Sequence, residues 1–148
     1  MNIVKTFEQF NNDFVYFCEP IKNNIMNDGN FIRIIYSSPF FVLNGIYLLI
    51  QISQVSIEKH YNKYKCIFDV EQHKNIVEKM KCIEDDILRK ANIQGKTFQM
   101  KIYDQLKNGN IKIMIDNPEI PIQGFVIKIA GLWETDSYYG LTYKFLVI

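Results

Sequence analysis

The stretch Lys59-His60-Tyr61-Asn62-Lys63-Tyr64-Lys65 sets cations beside aromatic rings with no acid among them. Lysine offers phosphate a compact point charge, and a ring offers a base a face to stack on, a contact worth about 1–3 kcal/mol per base. The stretch sits in a wider basic region: from Ile21 to Phe68, Lys22, Arg33, Lys59, Lys63 and Lys65 face only Asp28 and Glu58. A second basic region, Lys96 to Met114, carries Lys96, Lys101, Lys107 and Lys112 against Asp104 alone. From these regions and the aromatic positions near them, Lys59, Lys63, Lys65, Lys107 and Lys112 are the candidate phosphate contacts. Arg33, Tyr47, Tyr61 and Tyr138 are the candidate stacking positions. A solvated strand edge, where lysine discourages edge-to-edge pairing, accounts for residues 59–65 equally well. Phe31 is at least as well explained by a second core layer as by a single-strand groove.

Other chemistries find less support. His60, His73 and the three cysteines have no paired spacing that would converge on a metal, so no metal or other cofactor is expected. There is no Gly-x-Ser-x-Gly elbow or cysteine-nucleophile signature, and Cys66 and Cys82 read as packing residues. Glu84, Asp85 and Asp86 are consecutive on an expected helix, so they point about 100° apart and read as a solvated face. The seven glycines form no phosphate-cradling loop. A non-catalytic protein is the expectation, with a nucleic-acid-processing enzyme as a weaker alternative.

The basic residues are two arginines, Arg33 and Arg89, and fifteen lysines. Arginine is the usual bidentate reader of guanine, so binding through lysine should be weakly sequence-specific. The abundance of Lys, Asn, Ile and Tyr also fits AT-rich codons.

The elements that must position these residues can be read from periodicity. The 148-residue chain, 48% hydrophobic and with net charge +1, fits one domain over residues 1–148. Its first 14 residues lack the apolar stretch of a secretory signal. The run from Phe40 to Ile52 is too short for a bilayer, which needs about 20 residues. We therefore expect a soluble, intracellular, non-secreted protein without a membrane partner. Residues 1–29 read as an irregular or partly helical lead-in. Ile32, Ile34 and Tyr36 alternate as a strand, followed by a second over Gly45 to Val55 and a third around Tyr64 to Val70, three strands that could form a meander. The period then changes: Ile76, Val77, Met80, Ile83, Ile87, Leu88 and Ala91 make one stripe of a helix between Glu71 and Ala91. Phe98 to Leu106 fits either a strand or a short helix, and Asn108-Gly109 marks a tight turn. Strands follow from Ile111, from Phe125 to Ala130 and from Leu141 to Ile148. Leu141, Tyr143, Phe145 and Val147 alternate as a core face, which makes Phe145 and Trp133 structural. Tyr138 and Tyr139, beside Ser137 and Gly140 in an expected turn, are better placed to meet a ligand.

This order is mainly β, or α+β. It accommodates an OB-fold-like partly open barrel with one long amphipathic helix between the third and fourth strands and one strand added, although other α+β folds fit as well.

The stretch Lys128-Ile129-Ala130-Gly131-Leu132-Trp133-Glu134-Thr135, followed by Gly140-Leu141-Thr142-Tyr143-Lys144-Phe145, resembles the closing strands of single-stranded DNA-binding proteins of large DNA viruses. Ile83-Glu84 with Ile87-Leu88, and Gln105 to Lys112, extend the resemblance over the second half of the chain. It implies an OB-fold, related in architecture to phage single-strand binders, that coats single-stranded DNA in viral replication, recombination or repair. The implied location is the host nucleus or a viral replication site, and the implied partners are replication proteins. The acidic tail with which phage proteins of this type often end is replaced here by Phe145-Leu146-Val147-Ile148, which puts tail-mediated recruitment in doubt and could complete a sheet or a homo-oligomer. The rival expectation is a viral protein–protein interaction module on an OB-like scaffold without nucleic-acid affinity.

Overall fold

The computed structural model describes residues 4–22, 29–53, 55–60, 63–113 and 124–148. It is mainly β, with a large sheet curled into a half-barrel, a small sheet and one long helix.

Two strands organise the large sheet. β3 (Asn30–Ser37) changes partners midway: Asn30 to Arg33 pair with β10 (Phe125–Glu134), whereas Ile34 to Ser37 lie between β1 (Val15–Phe17) and β4 (Val42–Asn44). β2 (Ile21–Lys22) pairs with the start of β3. β4 and β5 (Ile46–Ile50) are separated by Gly45, whose φ of +94° lets the chain leave β3 and join the first half of β10. β11 (Tyr138–Val147) runs antiparallel along β10, with an irregularity between Ile129 and Gly131, and takes β8 (Thr97–Gln99) as a short parallel neighbour. Such partner switching curls a sheet, because each strand twists and neighbours cannot stay flat over ten residues.

The small sheet has the order β6 (Ser56–His60), β7 (Lys63–Ile67) and β9 (Asn110–Ile113), all antiparallel. α1 (Lys74–Ala91) follows a 3-10 turn at Glu71–His73 and buries Val77, Met80, Ile83, Ile87 and Leu88 against the sheets. α2 (Lys101–Lys107) connects β8 to β9.

Several sequence expectations change. The long helix follows seven strands rather than three, because residues 15–22, 42–44 and 56–60 contribute short strands whose alternation is too brief to register. The expected meander does not form: β5 pairs with β10, and β7 pairs with β6 and β9. Phe98 to Leu106 holds both expected alternatives, a strand and then a helix. The lead-in, residues 1–29, contains a 3-10 turn at Asn12–Phe14 and the two short strands β1 and β2. Glu84 is wholly buried rather than solvated, for a reason given below. Cys66 is buried, but Cys82 is exposed. Tyr139, expected in a turn, lies in β11 at 3% exposure, with its hydroxyl donating to the Leu88 carbonyl of α1 at 3.1 Å. No described helix is long and apolar enough to cross a membrane.

Candidate nucleic-acid interface

Antiparallel register decides which lysines can act together. Lys65 of β7 lies opposite Lys112 of β9, and directly opposed residues project to the same face of a sheet. Lys63, two residues from Lys65, shares that face, whereas Tyr64 and Cys66 turn into the core. The third sheet strand has the opposite consequence for Lys59. It is paired with the buried Tyr64, so it starts from the core-side face of edge strand β6 and is separated from the other three.

Beyond β9 stand β11 and α2. Two adjoining hollows, of about 300 and 430 Å³, lie between the small sheet and these elements and share Gln105, Lys112 and Tyr143 in their walls. Lys65 and Lys101 line the first, with Asn108 and Asn110 as polar neighbours, and Lys63 and Lys144 line the second. The cleft thus gathers five lysines from four elements. Among the described residues, Asp104 is the acid in its wall, and it is 3.2 Å from Lys107. Lys107 is therefore an ion-paired neighbour of the cleft. Glu58 lies opposite Lys65 on β6 and moderates the charge at that end.

The cleft wall is held by a buried carboxyl. Both oxygens of Glu84, on α1, accept backbone N–H groups at the start of α2, from Ile102 at 3.0 Å and Tyr103 at 2.9 Å. These amides have no partner within their own helix, so the carboxyl ties α2 to α1 and sets where Lys101 and Gln105 stand. Burial pushes the Glu84 carboxyl up to about 7, against the lowering effect of the two N–H donors. Across the cleft, the Tyr143 hydroxyl is 2.7 Å from Gln105 Oε1 and 3.4 Å from the Lys101 carbonyl. Burial, with Glu84 and Asp104 nearby, raises this phenol to about 12, so it stays protonated and can donate. Gln105 Nε2, buried in the cleft wall, has no partner among the described residues.

Of the candidate residues, the structure brings together Lys63, Lys65 and Lys112. Arg33 is exposed and Tyr47 half-buried on the outer face of the large sheet, where the Lys128 ammonium lies 5.6 Å from the centre of the Tyr47 ring. Tyr138 is 46% exposed at the start of β11, beyond the turn closed by the Thr135 N–H to the Tyr138 carbonyl. Tyr61 lies outside the described residues. Lys101, Lys128 and Lys144 were not singled out from sequence. The alternation of β10 and β11 signals that Lys128 and Lys144 face outward, but only the register shows them directly opposed. Among the described residues, no three His, Cys, Asp or Glu side chains cluster as metal ligands.

The chain matches no protein-family model, and no curated protein or solved structure is significantly similar to it.

Proposed function

We propose that this protein binds single-stranded DNA, without catalysis and with little sequence preference, and that the lysine-lined cleft holds the phosphate backbone. The observation that carries this reading is the convergence of Lys63, Lys65, Lys101, Lys112 and Lys144 on one cleft in a chain of net charge +1. Such a concentration of like charge is unfavourable unless solvent or a polyanion screens it, and spaced ammonium groups suit a phosphate chain better than one base edge. Amide donors in the cleft wall, such as that of Asn108, would fix the backbone without reading sequence. Lys107 contributes at the rim. Lys59, on the other face of the small sheet, is not part of this cleft.

The resemblance of the last two strands to viral single-strand binders extends the proposal to replication, recombination or repair of viral DNA, with replication proteins and further copies of this chain as partners. The OB-fold-like reading of the scaffold rests on the same resemblance and on the curl of the large sheet. A fluorescein-labelled oligothymidylate titrated at several salt concentrations tests the function. Binding should weaken steeply with salt, and K63A/K65A/K112A should abolish most of it. No affinity at low salt sinks the proposal.

A second reading, a viral protein-interaction module, is favoured by one surface. Tyr16 is 55%, Val42 68% and Phe40 90% exposed along β1 and the β3–β4 hairpin. A partner captured equally well after nuclease treatment, by a protein with no oligonucleotide affinity, would decide for it.

A further inference from the structure

The outer face of the large sheet carries a second set of side chains, ordered by register into cross-strand rows. One row sets Phe31 of β3 against Trp133 of β10 and Gly140 of β11, and the next sets Arg33 against Gly131 and Thr142. A third sets Tyr47 of β5 against Lys128 and Lys144. Phe31 and Trp133 are half-buried. Each ring lies over a glycine of the neighbouring strand: a Cβ at Gly140 would come within 2.7–2.9 Å of three indole atoms, and one at Gly131 would clash first with the Ile32 carbonyl oxygen and would also meet the Phe31 ring at 2.8 Å. Glycine at both positions lets aromatic rings lie against the sheet, where any side chain would prop them up or displace them. Ile21 of β2 lies opposite Phe31, and the cations Arg33 and Lys128 stand in the adjoining rows. Lys101 places its ammonium 4.7 Å from the Trp133 ring centre, and Lys101 also lines the cleft.

We propose that Phe31 and Trp133 form a base-stacking platform for single-stranded DNA, continuous with the phosphate cleft through Lys101 and Lys144; this rests on the cleft reading above. In the free protein Lys101 covers the indole. When a strand crosses from the cleft to the outer face, a base takes the place of the ammonium on the ring and the ammonium turns to a phosphate. Two half-buried aromatic rings on neighbouring strands, near Arg33, Lys101, Lys128 and Lys144, complement a chain whose bases are apolar faces and whose backbone is anionic. Double-stranded DNA, whose bases are already stacked, cannot use it.

Trp133 is the chain's one tryptophan, so intrinsic fluorescence reports the platform directly. Oligothymidylate is compared with an abasic oligomer of the same length, which keeps the phosphates and lacks the bases. The expected result is quenching by oligothymidylate alone, with affinity roughly ten- to hundredfold above that of the abasic chain, as stacking of one or two bases provides. F31L, with folding checked by circular dichroism, should lose roughly tenfold on oligothymidylate and nothing on the abasic chain. Equal binding of the two oligomers without quenching overturns the platform and leaves the cleft standing. Failure of both to bind overturns both.

Discussion

Glu84 illustrates how a single side chain can govern a site it does not touch. Its carboxyl sits in the core, accepts two N–H groups from α2 and is raised to about 7, whereas in an unfolded chain it would titrate near 4.5. Because the folded value is the higher one, its contribution is fully present below about pH 4.5 and is lost as pH rises through about 7. A shift of this size corresponds to about 3 kcal/mol across that window. Urea denaturation at successive pH values should therefore show stability falling from pH 5 to 7 in the parent, with a flatter profile in E84Q; identical profiles would show that the carboxyl does not titrate there. The variant should also be less stable at pH 5 by about 1–3 kcal/mol, because the amide nitrogen cannot accept from an N–H. Gly140 has an equally local but opposite role, since it leaves room for a ring. G140A would bring a methyl to 2.7 Å from the Trp133 indole. We expect a cost of about 1–3 kcal/mol in thermal or urea unfolding, together with a shifted Trp133 emission maximum. An unchanged spectrum would contradict the packing of the indole on β11.

The elements differ in how plainly the sequence announces them. α1 ends at Asn92, which adopts a left-handed φ of 45° and donates its N–H to the Leu88 carbonyl at 3.2 Å. Asparagine tolerates this conformation and glycine prefers it. N92G should therefore raise stability by up to about 1 kcal/mol and N92V should lower it by more, as read from urea midpoints; the reverse order would deny the left-handed cap. The helix was legible because Ile76, Val77, Met80, Ile83, Ile87, Leu88 and Ala91 recur at its period, a signal that no described strand matches. β10 and β11 were legible in their alternation but not in their full length, since Gly131 interrupts the first and Tyr138 to Gly140 read as a turn. β6 left almost no trace: it is an edge strand with Ile57 as its apolar residue, and an edge strand buries little. Pairing was the least legible feature. Whether β5 meets β3 or β10 depends on the kink at Gly45 and on a strand some 80 residues away along the chain, neither of which shows in local periodicity.

At the scale of the whole molecule, a net charge of +1 conceals a strongly divided surface. The two basic regions, Ile21 to Phe68 and Lys96 to Met114, are joined through β7 and β9, because Lys65 and Lys112 are paired. The sequence alone could not reveal that Lys59 begins from the other face, since that depends on its pairing with Tyr64 rather than Lys63. Nor could it bring in Lys144 from the C-terminal strand or separate Lys107 through its pairing with Asp104. These differences make the salt response discriminating. Each phosphate neutralised on a single strand contributes about 0.7 to the slope of log affinity against log salt. K63A/K65A/K112A should thus lower the magnitude of that slope by about 2. K59A should leave the slope nearly unchanged despite removing a charge from the same basic stretch. Fluorescence anisotropy with oligothymidylate at four or more salt concentrations would measure both. Equal losses per lysine at all four positions would mean that the protein attracts DNA by diffuse surface charge, and the cleft would lose its claim to be the site.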